Sequence, residues 1–342
     1  MTRTPVLYDG DMGGDDLWAI AMLLAHRDQL DIRGISTVFG NVSQPQATKN
    51  AANFLHWMKV DDIPVVEGAN MPCDGMRPFG DDAYGENGVG GFILPESPLK
   101  PKKVDIADWL NTQLNAAPGK TVIFATGPAT NLALLIEKHP ESIQKIDEIV
   151  FMGAAINTIG KNQEPVFENG VRRKGNITLY SEFNAYQDPK ALNMLLKSGA
   201  PVTVMAADAT QYMVLTPDRQ EEIKAMDETY GPAFHRMLMA VAELDRNKFG
   251  VDGPFIHDPN VVTYSLAPEL YTGYHARNLF FREEAPRGPN GAHRGEAELK
   301  LSFANAIWKD KIADTDKVWD LMKSSLSAAV ARAKESPEPP AI

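Results

Sequence analysis

The sequence predicts an α/β fold built on an open, mostly parallel sheet with flanking helices. Three observations predict it. Short apolar runs recur through the first two-thirds of the chain, helical patterns separate them, and polar residues or glycines follow them directly. Strands that alternate with helices read as βαβ units, and in such sheets ligands bind beyond the carboxyl ends of the strands.

The first run, Val6-Leu7-Tyr8, is followed by Asp9 and Asp11. Asp16 to His26 then repeats apolar residues at three- and four-residue intervals, the pattern of a crossover helix on a parallel sheet. Ile32 to Val38 is the second strand, ending at Gly40 and Asn41, and Gln44 to Trp57 the second helix. Ile63 to Val66, Thr121 to Ala125, Ile149 to Met152 and Val202 to Ala206 supply further strands. Thr126 with Gly127, and Gly153, stand directly after two of these, so the polar strand ends should collect on one rim.

Beyond about Thr216 the pattern is helical, and Trp308 and Trp319 fall in an amphipathic C-terminal region expected in the core or at an interface. Met71 to Lys103, Asn157 to Asn176 and Arg282 to Gly295 read as long loops. In the last of these, Glu283, Glu284, Arg287 and Arg294 are expected to form a solvated charged loop. With no internal repeat, residues 1–335 are expected to form one domain and residues 336–342 a flexible tail.

Composition narrows the function. A chain of 342 residues, 44% hydrophobic, can bury a large core. A net charge of -11, with both signs mixed along the chain, argues against capture of a nucleic acid polymer or an anionic membrane. Any nucleic-acid-like ligand is therefore expected to be a small neutral molecule. The single cysteine, Cys73, excludes an internal disulfide and a cysteine-based zinc site, which suits a reducing compartment. No basic stretch followed by a long apolar one opens the chain, and no apolar run approaches the roughly 20 residues that cross a bilayer. A cytoplasmic protein without a membrane partner is expected.

The chemistry concentrates in Asp9-Gly10-Asp11-Met12-Gly13-Gly14-Asp15-Asp16, four carboxylates in eight residues at a strand-to-helix turn. Carboxylates this close repel unless a cation or a shared proton holds them, and calcium takes six to eight oxygen ligands from a loop able to wrap it. Helix capping accounts for Asp15 and Asp16 but poorly for Asp9 and Asp11. Far along the chain, His257-Asp258-Pro259 offers another carboxylate, although proline at a first helical position also fits a plain helix start. Asn176 and Ser181-Glu182-Phe183-Asn184 carry groups suited to sugar hydroxyls.

In this order the motifs resemble the inosine-uridine nucleoside hydrolase family. Its DxDxGxDD motif is matched by Asp9, Asp11, Gly13, Asp15 and Asp16. Further matches are Val38-Phe39-Gly40-Asn41, Gly85 to Gly91, Thr126 to Asn131, Met152-Gly153, Glu182-Phe183-Asn184 with Asp188-Pro189, and His257-Asp258-Pro259. The resemblance implies the Rossmann-like nucleoside hydrolase fold and hydrolysis of a ribonucleoside to ribose and free base. It implies a calcium ion held by Asp11, Asp16, the carbonyl of Thr126, and Asp258. It also implies Asp11 as the base that takes a proton from water, and Asp15, Asn41, Met152, Asn176, Glu182 and Asn184 around the ribose. A homodimer or homotetramer is expected on the same ground.

The leaving base needs activation, and here the chain departs from the family pattern. Many members carry histidine where this chain has Asp82-Ala83-Tyr84. Tyr84 is expected to stack on the base, which favours purines. His257 remains the candidate acid, with bracing of Asp258 as its alternative role. The stretch from Arg282 to Gly295 also departs from the family, leaving substrate scope open. Two rival readings remain: a magnesium-dependent aspartate-nucleophile phosphohydrolase, which leaves the later motifs unexplained, and a non-catalytic nucleoside- or calcium-binding protein on the same scaffold.

Overall fold

The computed structural model describes residues 3–76, 84–156, 166–168, 171–173, 175–272, 275–283, 293–300 and 303–336. Each early apolar run forms a strand and each periodic segment a helix. The order is β1 (Thr4–Gly10), α1 (Gly14–Ala25), β2 (Leu30–Thr37), α2 (Gln44–Trp57), β3 (Val65–Glu67), α3 (Ile106–Ala116), β4 (Thr121–Ala125), α4 (Thr130–Lys138) and β5 (Ile146–Met152). A two-stranded ribbon follows, β6 (Val166–Glu168) and β7 (Val171–Arg173), then α5 (Phe183–Gln187), α6 (Pro189–Lys197), β8 (Val202–Met205) and α7 (Ala207–Thr210). Four more helices come next: α8 (Pro217–Ala225), α9 (Tyr230–Leu238), α10 (Ala242–Phe249) and α11 (Pro259–Leu266). Short strands follow, β9 (Tyr271–Thr272), β10 (His275–Arg277), β11 (Leu279–Phe281), β12 (Ala297–Leu299), β13 (Ala306–Lys309) and β14 (Lys311–Ile312), and α12 (Thr315–Glu335) closes the series.

Eight strands form the main sheet in the order β10-β13-β8-β5-β4-β1-β2-β3. All pairings are parallel except β10 with β13. The order runs outward from β1 in both directions, so the switch point lies between β1 and β4, where a crevice opens at the strand ends. One apolar cluster covers each face. Helix α1 is buried on every side, and Trp18 meets Trp319 of α12 edge-on at 5.9 Å. Helices α9, α11 and α12 pack on α1, so the C-terminal helices belong to the layer that covers the sheet.

Two expectations need correction. Trp308 is buried in a strand, not in a helical region. β13 adds it parallel to β8 through an alternation too short to register as a strand in sequence. Arg294 is not solvated: it is 1% exposed. Its guanidinium donates to the carbonyls of Tyr186, Gln187 and Glu283 and to Asp74 Oδ2 at 2.5 Å. A buried guanidinium is tolerated because its donors find fixed acceptors and a counter-charge. Glu283 is half-buried and accepts from Asn193, while Glu284, Arg287 and residues 337–342 lie outside the described residues.

Candidate active site

At the end of β1 the chain turns into α1 through Met12, whose φ of 56° is unusual for a residue other than glycine. This turn stacks carboxylates. Asp16 Oδ2 accepts from the Gly13 N–H at 2.7 Å, and its Oδ1 accepts from Thr126 Oγ1 at 2.6 Å and the Tyr8 hydroxyl at 3.0 Å. Asp11 accepts from the Asn41 backbone N–H at 2.7 Å and from Asn41 Nδ2 at 2.9 Å. Asp9 is held by Asn131 and Ser36. A Cβ at Gly40 would lie 1.9 Å from Asp11 Oδ2, so glycine lets the loop after β2 close on this carboxylate.

Asp15 connects the turn to the rest of the site. Its Oδ1 accepts from the Tyr84 hydroxyl at 2.8 Å, and its Oδ2 faces the N–H groups of His257 and Asp258 at 3.4 Å. Asp258 stands first before α11 but makes no side-chain cap there, so the plain helix-start reading does not account for it. One carboxylate oxygen from each of Asp15, Asp16 and Asp258 lies within 4.8 Å of the others, all buried. The expected ligand set thus brings Asp16 and Asp258 together, with Asp15 in the group. Asp11 lies beside them, fully buried and tied to Asn41.

Electrostatics record the crowding. Burial, followed by the charge of Asp15, pushes the Asp16 carboxyl up to about 6. Burial and then Asp16 raise Asp11 well above the usual carboxylate range, and burial with Asp15, Asp16 and Asp11 does the same to Asp258. Such a group is at ease with a cation among it or with protons on some of its members.

The opposite wall comes from β5 and α5. Glu182 caps α5, accepting from the N–H groups of Asn184 at 3.0 Å and Ala185 at 3.1 Å, and it also accepts from Ala154 N–H at 2.9 Å. Burial pushes its carboxyl to about 7. Asn184 Nδ2 donates to the carbonyls of Thr126 at 2.7 Å and Met152 at 3.0 Å. The amide oxygens of Asn184 and Asn176 are buried without a hydrogen-bond partner among the described residues, an arrangement that leaves both able to accept from a ligand hydroxyl.

Most of these groups line one cavity. Asp15, Asn41, Tyr84, Thr126, Met152, Asn176, Glu182, Asn184, His257 and Asp258 all border it, while Asp11 and Asp16 lie beneath its floor. His257 is half-buried, with Nδ1 at 2.6 Å from Thr210 Oγ1, and burial lowers its pKa. Tyr84 is buried and its hydroxyl is committed to Asp15, so it positions that carboxylate as well as presenting a ring. Sequence reading missed Ile177, Phe183, Val241, Leu244 and Asp245, which complete the mouth. Phe183 sat inside a quoted motif. Asp245 could have been noticed as an acid two residues before an asparagine on a short helix, but nothing local tied it to the site.

Residues 6–308 match the family model described as inosine-uridine preferring nucleoside hydrolase. A pyrimidine-specific ribonucleoside hydrolase, RihA, of Citrobacter koseri is 33% identical over 269 residues, covering 78% of this chain and 81% of that protein. An uncharacterized protein of Schizosaccharomyces pombe is 34% identical over 270 residues, covering 78% and 82%. Among solved structures, the plant nucleoside hydrolase PpNRh1 superposes with a TM-score of 0.83 at 26% identity, covering 95% of this chain and 99% of that one. A purine-preferring ribonucleoside hydrolase from Gardnerella vaginalis shares the fold, with a TM-score of 0.82 at 24% identity over 96% of this chain and 100% of that one.

Proposed function

The chain belongs to the inosine-uridine preferring nucleoside hydrolase family, and from that premise we propose a calcium-dependent ribonucleoside hydrolase in which Asp11 activates water and Asp15, Asn41, Asn176, Glu182 and Asn184 hold the ribose. The observation that carries this reading is the buried trio of Asp15, Asp16 and Asp258 beside Asp11, at the floor of a cavity whose walls offer amide oxygens without a partner among the described residues. Hard oxygen donors gathered in this way fit a divalent cation such as calcium better than a soft metal. Asp16, Asp258, Asp11 and the Thr126 carbonyl would hold it, with Asp15 adjacent. When bound, calcium supplies positive charge that gathers hydroxyl oxygens and makes water more acidic.

The protein's own groups do the rest. Asp11, fixed by two donors of Asn41, takes a proton from the attacking water. Asp15, Glu182 and the two amides orient the ribose so that water meets C1′, where oxocarbenium character develops. His257, carried in the mouth, protonates the departing base. The ring of Tyr84 favours purines over pyrimidines, and the panel below includes both because RihA is named for pyrimidines. We place the activity in a single domain over residues 1–335, in the cytoplasm, in a homodimer or homotetramer. Exposed Ile93 and Phe303 suit a subunit contact, and among the described residues no helix is long and apolar enough to cross a membrane.

The test is release of reducing sugar from purine and pyrimidine nucleosides, with calcium and after chelation, by the wild type and Asp11→Ala. Calcium-dependent release that Asp11→Ala loses is the expected result. No release from any nucleoside by the calcium-loaded protein would overturn the proposal in favour of the binding-protein alternative.

A further inference from the structure

We propose that Asp245 and His257 together read the base, as an acceptor and a donor matched to a ring N–H beside a carbonyl, the lactam edge of a 6-oxopurine or of uracil. The inference rests on the hydrolase reading and goes beyond it to the leaving base. Asp245 stands on α10 at the cavity mouth and is 5% exposed. Its Oδ2 accepts from the Phe255 N–H at 2.9 Å, and Oδ1 has no hydrogen-bond partner among the described residues. On a residue that borders the cavity, that oxygen is available to accept from a ligand N–H. Burial pushes this carboxyl up to about 7.

The anchor of Asp245 lies two residues before His257 on the same segment, so the two groups are held by one stretch of backbone. Thr210 fixes the imidazole. Thr210 Oγ1 holds Nδ1 at 2.6 Å, so the nitrogen left to donate to a base is Nε2. The mouth therefore offers an acceptor, ionised Asp245, beside a donor, His257 Nε2–H. Val241, Leu244 and Tyr84 supply the apolar surface around them. An adenine ring nitrogen at the Asp245 position would place a lone pair against a carboxylate, whereas a lactam N–H would satisfy it.

The experiment compares kcat/KM for inosine, 1-methylinosine and p-nitrophenyl riboside, a riboside whose leaving group has no N–H. The calcium-loaded wild type and Asp245→Asn are both assayed. The wild type should discriminate against 1-methylinosine, and Asp245→Asn should lower the inosine to aryl riboside ratio, each by roughly ten- to hundredfold, the span of one hydrogen bond to a charged group. Equal use of inosine and 1-methylinosine by the wild type, or an unchanged ratio in Asp245→Asn, would overturn the proposal. Should Asp245→Asn fail to fold, the wild-type comparison decides alone. Cleavage of none of the three by the wild type would instead remove the hydrolase reading, and this inference with it.

Discussion

The floor of the cavity is assembled largely from one contiguous stretch, residues 9–16, whereas the mouth draws single side chains from the loop after β3, from α5, from α10 and from the segment before α11. The carboxylates of the floor are mostly held by two or more donors. In the mouth, the side chains of Tyr84, Asp245 and His257 each have one hydrogen-bonded tether among the described residues, to Asp15, Phe255 and Thr210. On the proposed reading the difference separates tasks: a floor that grips ribose would serve any ribonucleoside, while lightly tethered groups at the mouth would sort the bases.

The sharpest way to break that division is Asp258→Asn. With a floor carboxylate gone, activity should fall on the order of a thousandfold, equally for every base, because several kcal/mol of charge stabilisation disappear. In chelator the same variant should melt higher than the wild type, since one of the mutually repelling carboxylates is removed. A loss that depended strongly on the base would show that floor and mouth are not separate.

Behind the wall, Arg294→Ala tests what holds α5 in place. Removing the guanidinium leaves Asp74 and the carbonyls of Tyr186 and Gln187 without their donor, and denaturant unfolding should show a loss of roughly 3 kcal/mol. An effect below about 1 kcal/mol would mean that water replaces the guanidinium and that the wall stands without it.

A smaller effect, shared by floor and mouth, is read by pH. The carboxyls of Asp9 and Asp16, pushed to about 6, and those of Glu182 and Asp245, pushed to about 7, bind protons more tightly folded than unfolded. A raised carboxyl pKa favours the folded state at low pH, and that advantage is lost as pH rises from about 4 to about 7. In chelator, thermal unfolding should therefore show stability falling across this window. Calcium at about a hundred times its dissociation constant should restore roughly 2.7 kcal/mol at pH 7.5. A metal-free protein whose stability rises from pH 4 to 7 would contradict the crowded floor.

Legibility in the sequence divides along the same line. Strands β1 to β5 and β8, helices α1 and α2, and the floor were readable because apolar periodicity and adjacent carboxylates are local signals. Asp15, expected on the ribose, borders the cavity, and that one of its oxygens also lies with Asp16 and Asp258 could not be read, because sequence order does not say which way neighbouring side chains turn. β13 and the burial of Arg294 were not readable. Both depend on contacts across more than a hundred residues, Trp308 beside Val204 and Arg294 against Tyr186. Asp245 escaped although its Phe255 anchor is only ten residues away, because no local pattern says that α10 turns this side chain to the cavity.

The smallest effect concerns Tyr84, which belongs to both regions. Its hydroxyl serves the floor through Asp15, and its ring serves the mouth. Tyr84→Phe keeps the ring and removes one bond to a carboxylate, so kcat/KM should drop by roughly five- to tenfold for purine and pyrimidine nucleosides alike, about 1 kcal/mol. Tyr84→Ala should additionally move the purine to pyrimidine ratio by a few-fold, the scale of one aromatic contact. If Tyr84→Phe altered that ratio as much as Tyr84→Ala, the hydroxyl rather than the ring would be sorting bases. The floor would then reach into the mouth through Asp15, and selectivity would have to be sought in how that carboxylate is held.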